Sequence, residues 1–213
     1  RRSALLAAAR LAVADGAGEL DTLARRLAHA LSGCFAAHRT ADEAAPETYR
    51  LQELILQVTR RRGVDLERAA ALLVLADFDA GAGRYTQAIG RYREAVDAAR
   101  ASRDAHTTGR VLESLGDTYG RMDDWARAAD WFGRALELRR SADEPVGTAR
   151  LHGLLAAAHA RDGDTGGALR EWRAAAALHR RLRDPAGRGR ALREVAGLHA
   201  RMCRPDEALR TYH

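Results

Sequence analysis

The feature that most constrains this chain is a periodicity of 40 residues running through its second two thirds. Small residues recur at Ala76, Gly116, Ala156 and Ala196, and again at Ala88, Ala128, Ala168 and Ala208. An aromatic column keeps the same step, Tyr92, Phe132, Trp172 and Tyr212, backed by Ala95, Ala135 and Ala175. A small residue lets one helix approach the next closely, and an aromatic ring one turn on fills the space beside it. Neither helix of such a unit buries its face alone. Each pair needs neighbours, so about three or more units are required for stability, and the chain is expected to stack linearly instead of wrapping a single core.

The cleanest copy runs from Leu112 to Ala135, LESLGDTYGRMDDWARAADWFGRA, and places Leu112, Leu115, Gly116 and Tyr119 against Ala128, Phe132 and Ala135. This order resembles the tetratricopeptide (TPR) pattern W-x2-L-G-x2-Y…A-x3-F, with Leu where Trp is usual and Arg140 where the closing Pro would fall. The resemblance implies an all-α fold: a right-handed α-solenoid of antiparallel helix pairs, the TPR superhelix. Three full repeats and a truncated fourth are expected over residues 65–213. The step of 40 exceeds the usual length of about 34, and its extra residues are expected to lengthen the helices about each inter-repeat turn. Glu144-Pro145-Val146-Gly147-Thr148-Ala149-Arg150 and Asp184-Pro185-Ala186-Gly187-Arg188-Gly189-Arg190 are similar to the tail D-x-x-G-x-A-R of long TPR units. Such units occur in bacterial signal-transduction ATPases of the antibiotic regulatory protein type and in cargo and polarity adaptors.

Upstream, residues 1–45 read as a degenerate helical hairpin, with Gly16-Ala17-Gly18 as its turn and residues 40–47, which include Pro46, as a loop. Residues 46–64 form a linking helix: Leu51, Leu54, Ile55 and Val58 share one face, and Arg60-Arg61-Arg62 complement the negative helix end. Thr48-Tyr49-Arg50-Leu51-Gln52-Glu53-Leu54 is similar to the Y-R-L-H-D-L ending of the winged-helix domain in those regulators, with Gln52 for His and Glu53 for Asp. An ordinary amphipathic helix start explains these residues equally well. The turns between helices are short: Gly81-Ala82-Gly83, Met122-Asp123-Asp124, Asp162-Gly163-Asp164 and Cys203-Arg204-Pro205. Acidic residues and Pro after Arg103, Asp143 and Arg183 start the next helices. The chain opens on Arg1 and stops at His213 inside a second helix, as a piece of a longer protein would.

Chemistry is narrowed by composition. All 35 basic residues are Arg, and there is neither Lys nor Asn, a bias that fits GC-rich coding. Without Lys there can be no P-loop GxxxxGK[ST] and no Schiff-base or pyridoxal-binding lysine. The Gly-rich pieces at 81–83 and 163–167 lie between helices and not after strands. Cys34 and Cys203 have no CxxC partner and read as reduced thiols of a cytoplasmic protein. No apolar run reaches the roughly 18 to 20 residues of a membrane helix. The eight histidines form no HExxH or Cys/His cluster, and His152, His159 and His199 occupy columns of packing residues, so no metal and no cofactor are expected. Asp77 with Asp79, and Asp123 with Asp124, read as capping or solvated acids at helix ends. No catalytic residue is assigned and the chain is not read as an enzyme.

Partner binding is then the expected function. In TPR arrays the first helix of each pair lines the groove, and two arginine columns fall there: Arg110, Arg150 and Arg190 near helix starts, and Arg121, Arg161 and Arg201 at helix ends. Arg193 adds to them, and Glu113 and Asp117 oppose them. A guanidinium fork suits a carboxylate or phosphate, so a ladder of them suits an acidic protein or peptide. Capping and intra-array salt bridges are the competing use. Trp131 stands in a column otherwise held by Arg91, Glu171 and Thr211, a polar set that implies an outward face able to contact another chain; packing of the ring on a neighbouring helix is the favoured alternative. The leading reading is a protein- or peptide-binding TPR scaffold within a larger bacterial regulator, cytoplasmic, with a homo-oligomer open to it. The alternatives are nucleic-acid binding through the Arg columns, and an intramolecular lid whose partner is an ATPase domain of the same protein.

Overall fold

The computed structural model describes residues 41–211 and, before them, residues 7, 11, 21–24, 26, 27 and 30, all of the latter helical. The hairpin expected before residue 41, Cys34 and the last aromatic of the column, Tyr212, otherwise lie outside the described residues. Nine helices run through 41–211: α1 (Ala41–Arg62), α2 (Asp65–Gly81), α3 (Tyr85–Ala101), α4 (Ala105–Arg121), α5 (Trp125–Ser141), α6 (Pro145–Asp162), α7 (Thr165–Arg181), α8 (Pro185–Arg201) and α9 (Pro205–Arg210). No strand occurs among the described residues. The fold is all-α and of the α-solenoid class, built from antiparallel helix pairs. It divides into two compact units, Arg1–Val111 and Leu112–His213.

The repeat is more regular than its 40-residue columns reveal. From α2 to α8 every helix has 17 residues, except α6 with 18. The extra length is therefore shared by both helices of each pair. Turns within pairs and between pairs share one geometry. A residue with positive φ sits at every twentieth position: Gly63, Gly83, Arg103, Asp123, Asp143, Gly163, Arg183 and Cys203. Most of these turns close with a bond from the next N–H to the carbonyl five residues back, as in Arg84 to Asp79 (2.8 Å), Asp104 to Ala99 (3.0 Å) and Asp184 to His179 (2.9 Å). This is the Schellman closure, which satisfies a carbonyl the helix end leaves orphaned. Asp104, Asp124, Asp164 and Asp184 then cap the following helix by accepting the N–H three residues on.

Helix α1 differs from expectation at its start. It begins at Ala41, so residues 41–47 are helical and Pro46 lies inside the helix instead of in a loop. Pro46 forfeits one bond to the carbonyl four residues back, but Ala and Glu around it are strong helix formers. The face expected of this helix is present, with Leu51, Ile55 and Val58 all at 1% exposure or less.

In the N-terminal unit α1 packs on α2 and α2 on α3, with Leu72, Leu75, Ala76, Ala88, Tyr92 and Ala95 buried. In the C-terminal unit α5 through α9 pack consecutively. There Gly116 explains its own presence, because a Cβ would fall 2.5 Å from Cε1 of Phe132. Ala128, Ala135 and Ala168 are fully buried, so the large-small interlock inferred from the columns is the packing observed.

Candidate functional site

The first helices of the C-terminal unit carry the arginines singled out by sequence, and the structure divides them by what they touch. Arg150, six residues into α6, is half exposed and donates to Glu113 of α4. Glu113 is buried at 6% and also receives Nη2 of the buried Arg139 at 3.4 Å. Arg139 in turn donates to Glu144, the residue that closes its turn. Glu113 is thus the seat on which Arg150 is held, and its burial reflects two guanidiniums in place of water.

Arg190 and Arg193 of α8 are exposed, with no hydrogen bond or ion pair among the described residues. Arg190 still acts through its field. The Asp184 carboxyl is held below its ordinary value first by the Gly187 N–H, with His179 and Arg190 adding, against a smaller opposing effect of burial. Arg121 and Arg201, exposed at the ends of α4 and α8, likewise have no such partner among the described residues, while Arg161 at the end of α6 lies 5.2 Å over the Trp125 ring. Asp117 is exposed. In the N-terminal unit Arg110 is exposed and without a hydrogen bond or ion pair among the described residues.

Trp131 is half-buried. Its ring stacks on Tyr119, with centroids 6.5 Å apart and planes at 8°, and Arg134 lies 4.5 Å over it. The polar column through it is not an outward face: Arg91 reaches the buried Asp79 at 2.6 Å, and Glu171 reaches His152 at 2.6 Å. Position 91, 131 or 171 is the one from which a second helix touches the first, so its residue type follows its partner.

Two further expectations are corrected. Asp79 is no solvated helix-end acid. It is fully buried, with Oδ1 taking Nε and Nη2 of Arg84 at 2.9 and 2.7 Å and Oδ2 taking Nη1 of Arg91. Arg91 also donates to the Tyr49 hydroxyl at 2.7 Å and lies over its ring. Asp77, exposed, accepts from the Tyr92 hydroxyl at 2.6 Å. The histidines fill packing columns but are also polar partners: Nδ1 of His152, His159, His179 and His199 faces Glu171, Asp164, Asp184 and Glu207, respectively. The missed signal was a spacing of five across four of the turns, seen in Asp79–Arg84, Arg139–Glu144, His159–Asp164 and His179–Asp184. The left-handed turn brings those two side chains together.

Among the described residues no group of three or more His, Cys, Asp and Glu side chains is arranged to hold a metal ion, and no helix is long and apolar enough to cross a membrane. What the described residues of the C-terminal unit present is an open helical surface with arginines recurring along its first helices.

Comparison with known proteins agrees with this architecture. No curated protein matches by sequence. By structure the chain is similar to BtubC (BKLC) from P. vanneervenii, with TM-score 0.72 and 16% identity over 98% of this chain and 87% of that one. It is also similar to a kinesin light chain of Podosopora anserina with nearly identical TPR-like repeats, with TM-score 0.68 and 15% identity over 88% and 90%. A third similar structure is a Rap protein complexed with Competence and Sporulation Factor, with TM-score 0.56 and 14% identity over 80% of this chain and 49% of that one. Residues 67–141 match the tetratricopeptide repeat family, and the chain shares the fold of proteins built from such repeats.

Proposed function

We propose that this chain is a protein- or peptide-binding scaffold whose C-terminal unit holds an acidic partner on Arg150, Arg190 and Arg193. The observation that carries the reading is the contrast among these arginines. Arg150 is oriented by the buried Glu113, and Arg190 and Arg193 stand exposed on the next first helix without a hydrogen bond or ion pair among the described residues. A pre-oriented guanidinium loses less freedom on meeting a carboxylate than a mobile one does. The Rap structure, of the same fold, holds Competence and Sporulation Factor. Arg121, Arg161 and Arg201 extend the same surface, Glu113 and Asp117 set its register, and Trp131 is offered only as an edge to a second chain. Arg110 serves its own unit in the same way. The wider setting we propose is a bacterial cytoplasmic regulator of the long-repeat type, in which the array binds its partner without catalysis.

Fluorescence anisotropy with a labelled hexaglutamate peptide tests this reading. Wild-type protein is expected to bind it, and Arg190→Glu with Arg193→Glu to weaken binding at least tenfold. Equal binding by the double variant removes the site. Preferential binding of a single-stranded oligonucleotide, with affinity falling steeply with salt, would replace the peptide reading with a nucleic-acid one.

A further inference from the structure

The C-terminal unit twice lays an arginine on a histidine in the same way. Arg173 of α7 places Nη2 3.1 Å from Nε2 of His199, whose Nδ1 faces Glu207 at 2.8 Å. Arg140 of α5 places Nη2 3.2 Å from Nε2 of His152, whose Nδ1 faces Glu171. Nδ1 of His152 hydrogen-bonds Glu171, whereas Nδ1 of His199 lies beside Glu207 without a hydrogen bond; with the ring proton on Nδ1, Nε2 keeps a lone pair to which the guanidinium N–H can donate.

His159 has the first half of this arrangement and lacks the second. It lies 40 residues before His199 in the repeat, and its Nδ1 faces Asp164 at 3.3 Å. The position matching Arg173 is Gly133. No described residue hydrogen-bonds Nε2 of His159. Where the arginine would lie there is an open groove of about 510 Å³ between α5 and α6, lined by Asp130, Gly133, Arg134, Glu137, Leu155 and His159. Asp130 and Glu137 are seven residues apart on α5 with Gly133 between them, one face of the helix. Arg134 is turned onto the Trp131 ring and Arg140 takes Oε1 of Glu137 at 3.0 Å, so the groove keeps Asp130 and the second oxygen of Glu137 as acceptors.

We infer that the Gly133 groove is a socket for an arginine side chain of a partner protein, which supplies the guanidinium that Arg173 supplies to His199. Its donors meet Nε2 of His159 and the carboxylates of Asp130 and Glu137, and its stem lies over Gly133 and Leu155. This is a second surface, independent of the arginine face. A scaffold with both engages a basic and an acidic element at once.

The test is NMR of the His159 ring in the full chain, titrated with N-acetyl-arginine amide and, as the neutral isostere, N-acetyl-citrulline amide. The arginine amide is expected to shift the His159 ring signals saturably and the citrulline amide to leave them in place. In Gly133→Arg the protein's own side chain fills the groove, and the saturable shift disappears. A Cβ at this glycine meets nothing within 4 Å, so that variant is expected to fold. Asp130→Asn with Glu137→Gln, which adds no bulk, is expected to weaken the arginine amide at least fivefold. The proposal is overturned by a wild-type protein whose His159 does not respond, by equal response to citrulline, or by an unchanged response in either variant.

Discussion

Asp79 in the N-terminal unit and Tyr119 in the C-terminal unit hold the same place in the repeat, as do Arg91 and Trp131, yet one pair is a buried salt bridge and the other a pair of stacked rings. The backbone around both is the same, a helix of 17 residues closed by a left-handed turn. The repeat therefore fixes which two positions meet and leaves the chemistry of the meeting open. The two solutions fail differently. Stacked rings lose packing when one is removed, whereas a buried carboxylate that is removed leaves its guanidiniums without a counter-charge.

The largest expected effect follows from that difference. Asp79→Ala is expected to destabilise the N-terminal unit by about 3 kcal/mol, the low end for a broken buried pair because Arg84 and Arg91 both reach water. All three tryptophans, Trp125, Trp131 and Trp172, lie in the C-terminal unit, so their fluorescence reports on that unit alone. In urea, the circular dichroism transition of the variant is expected to start before the fluorescence transition. Coincident transitions would show that the two units unfold as one. Transplanting the other solution, Asp79→Tyr with Arg91→Trp, should recover part of the loss. A double variant no more stable than Asp79→Tyr alone would break the equivalence of the two positions.

A smaller effect sharpens the comparison at the turns. Both units use the left-handed conformation, but glycine holds it at two of the three turns in the first, Gly63 and Gly83 beside Arg103, and at one of the five in the second, where Asp123, Asp143, Arg183 and Cys203 hold the rest. A side chain in that region costs roughly 1–2 kcal/mol relative to glycine in sterics alone. Gly83→Ala should lose about 1 kcal/mol, and Asp143→Gly should gain up to about 1 kcal/mol after the entropy of the added glycine is deducted. Thermal melts of the two variants check this, and shifts of the same sign would show that the turns are not equivalent.

The sequence carried the fold because the physics there is steric. Gly116, Phe132 and Ala135 admit few other arrangements at that spacing, and the columns name the buried face directly. It carried less of the site because charge has no fixed partner along a helix. Glu113 was legible as an exception in its column, but not as the buried seat of Arg139 and Arg150, since Arg139 comes from a second helix. Asp79 looked like a helix-end acid because only the left-handed turn shows that Arg84 folds back onto it. Pro46 misled for a local reason: it ends most helices, and here the residues around it outweigh one lost bond.

The smallest expected effect is on the acid side. Asp124 and Asp184, in the C-terminal unit, are held below the ordinary carboxylate value of 3.8, Asp124 chiefly by Arg127 and Asp184 chiefly by the Gly187 N–H. Asp104, in the N-terminal unit, is lowered in the same direction by Thr107. A carboxyl with a lower pKa folded than unfolded binds fewer protons in the native state. Its contribution is therefore full above the unfolded value and lost as the pH falls through the folded one. At the same turn position the N-terminal unit also has Arg84, which makes no side-chain cap. Asparagine caps a helix about as well as aspartate but carries no titrating proton. Asp124→Asn with Asp184→Asn is accordingly expected to flatten the loss of stability below pH 4 as read by tryptophan fluorescence. At neutral pH it should weaken the C-terminal unit slightly through loss of the Arg127 contact. An acid limb with unchanged slope would mean that other carboxylates set the acid response of this unit.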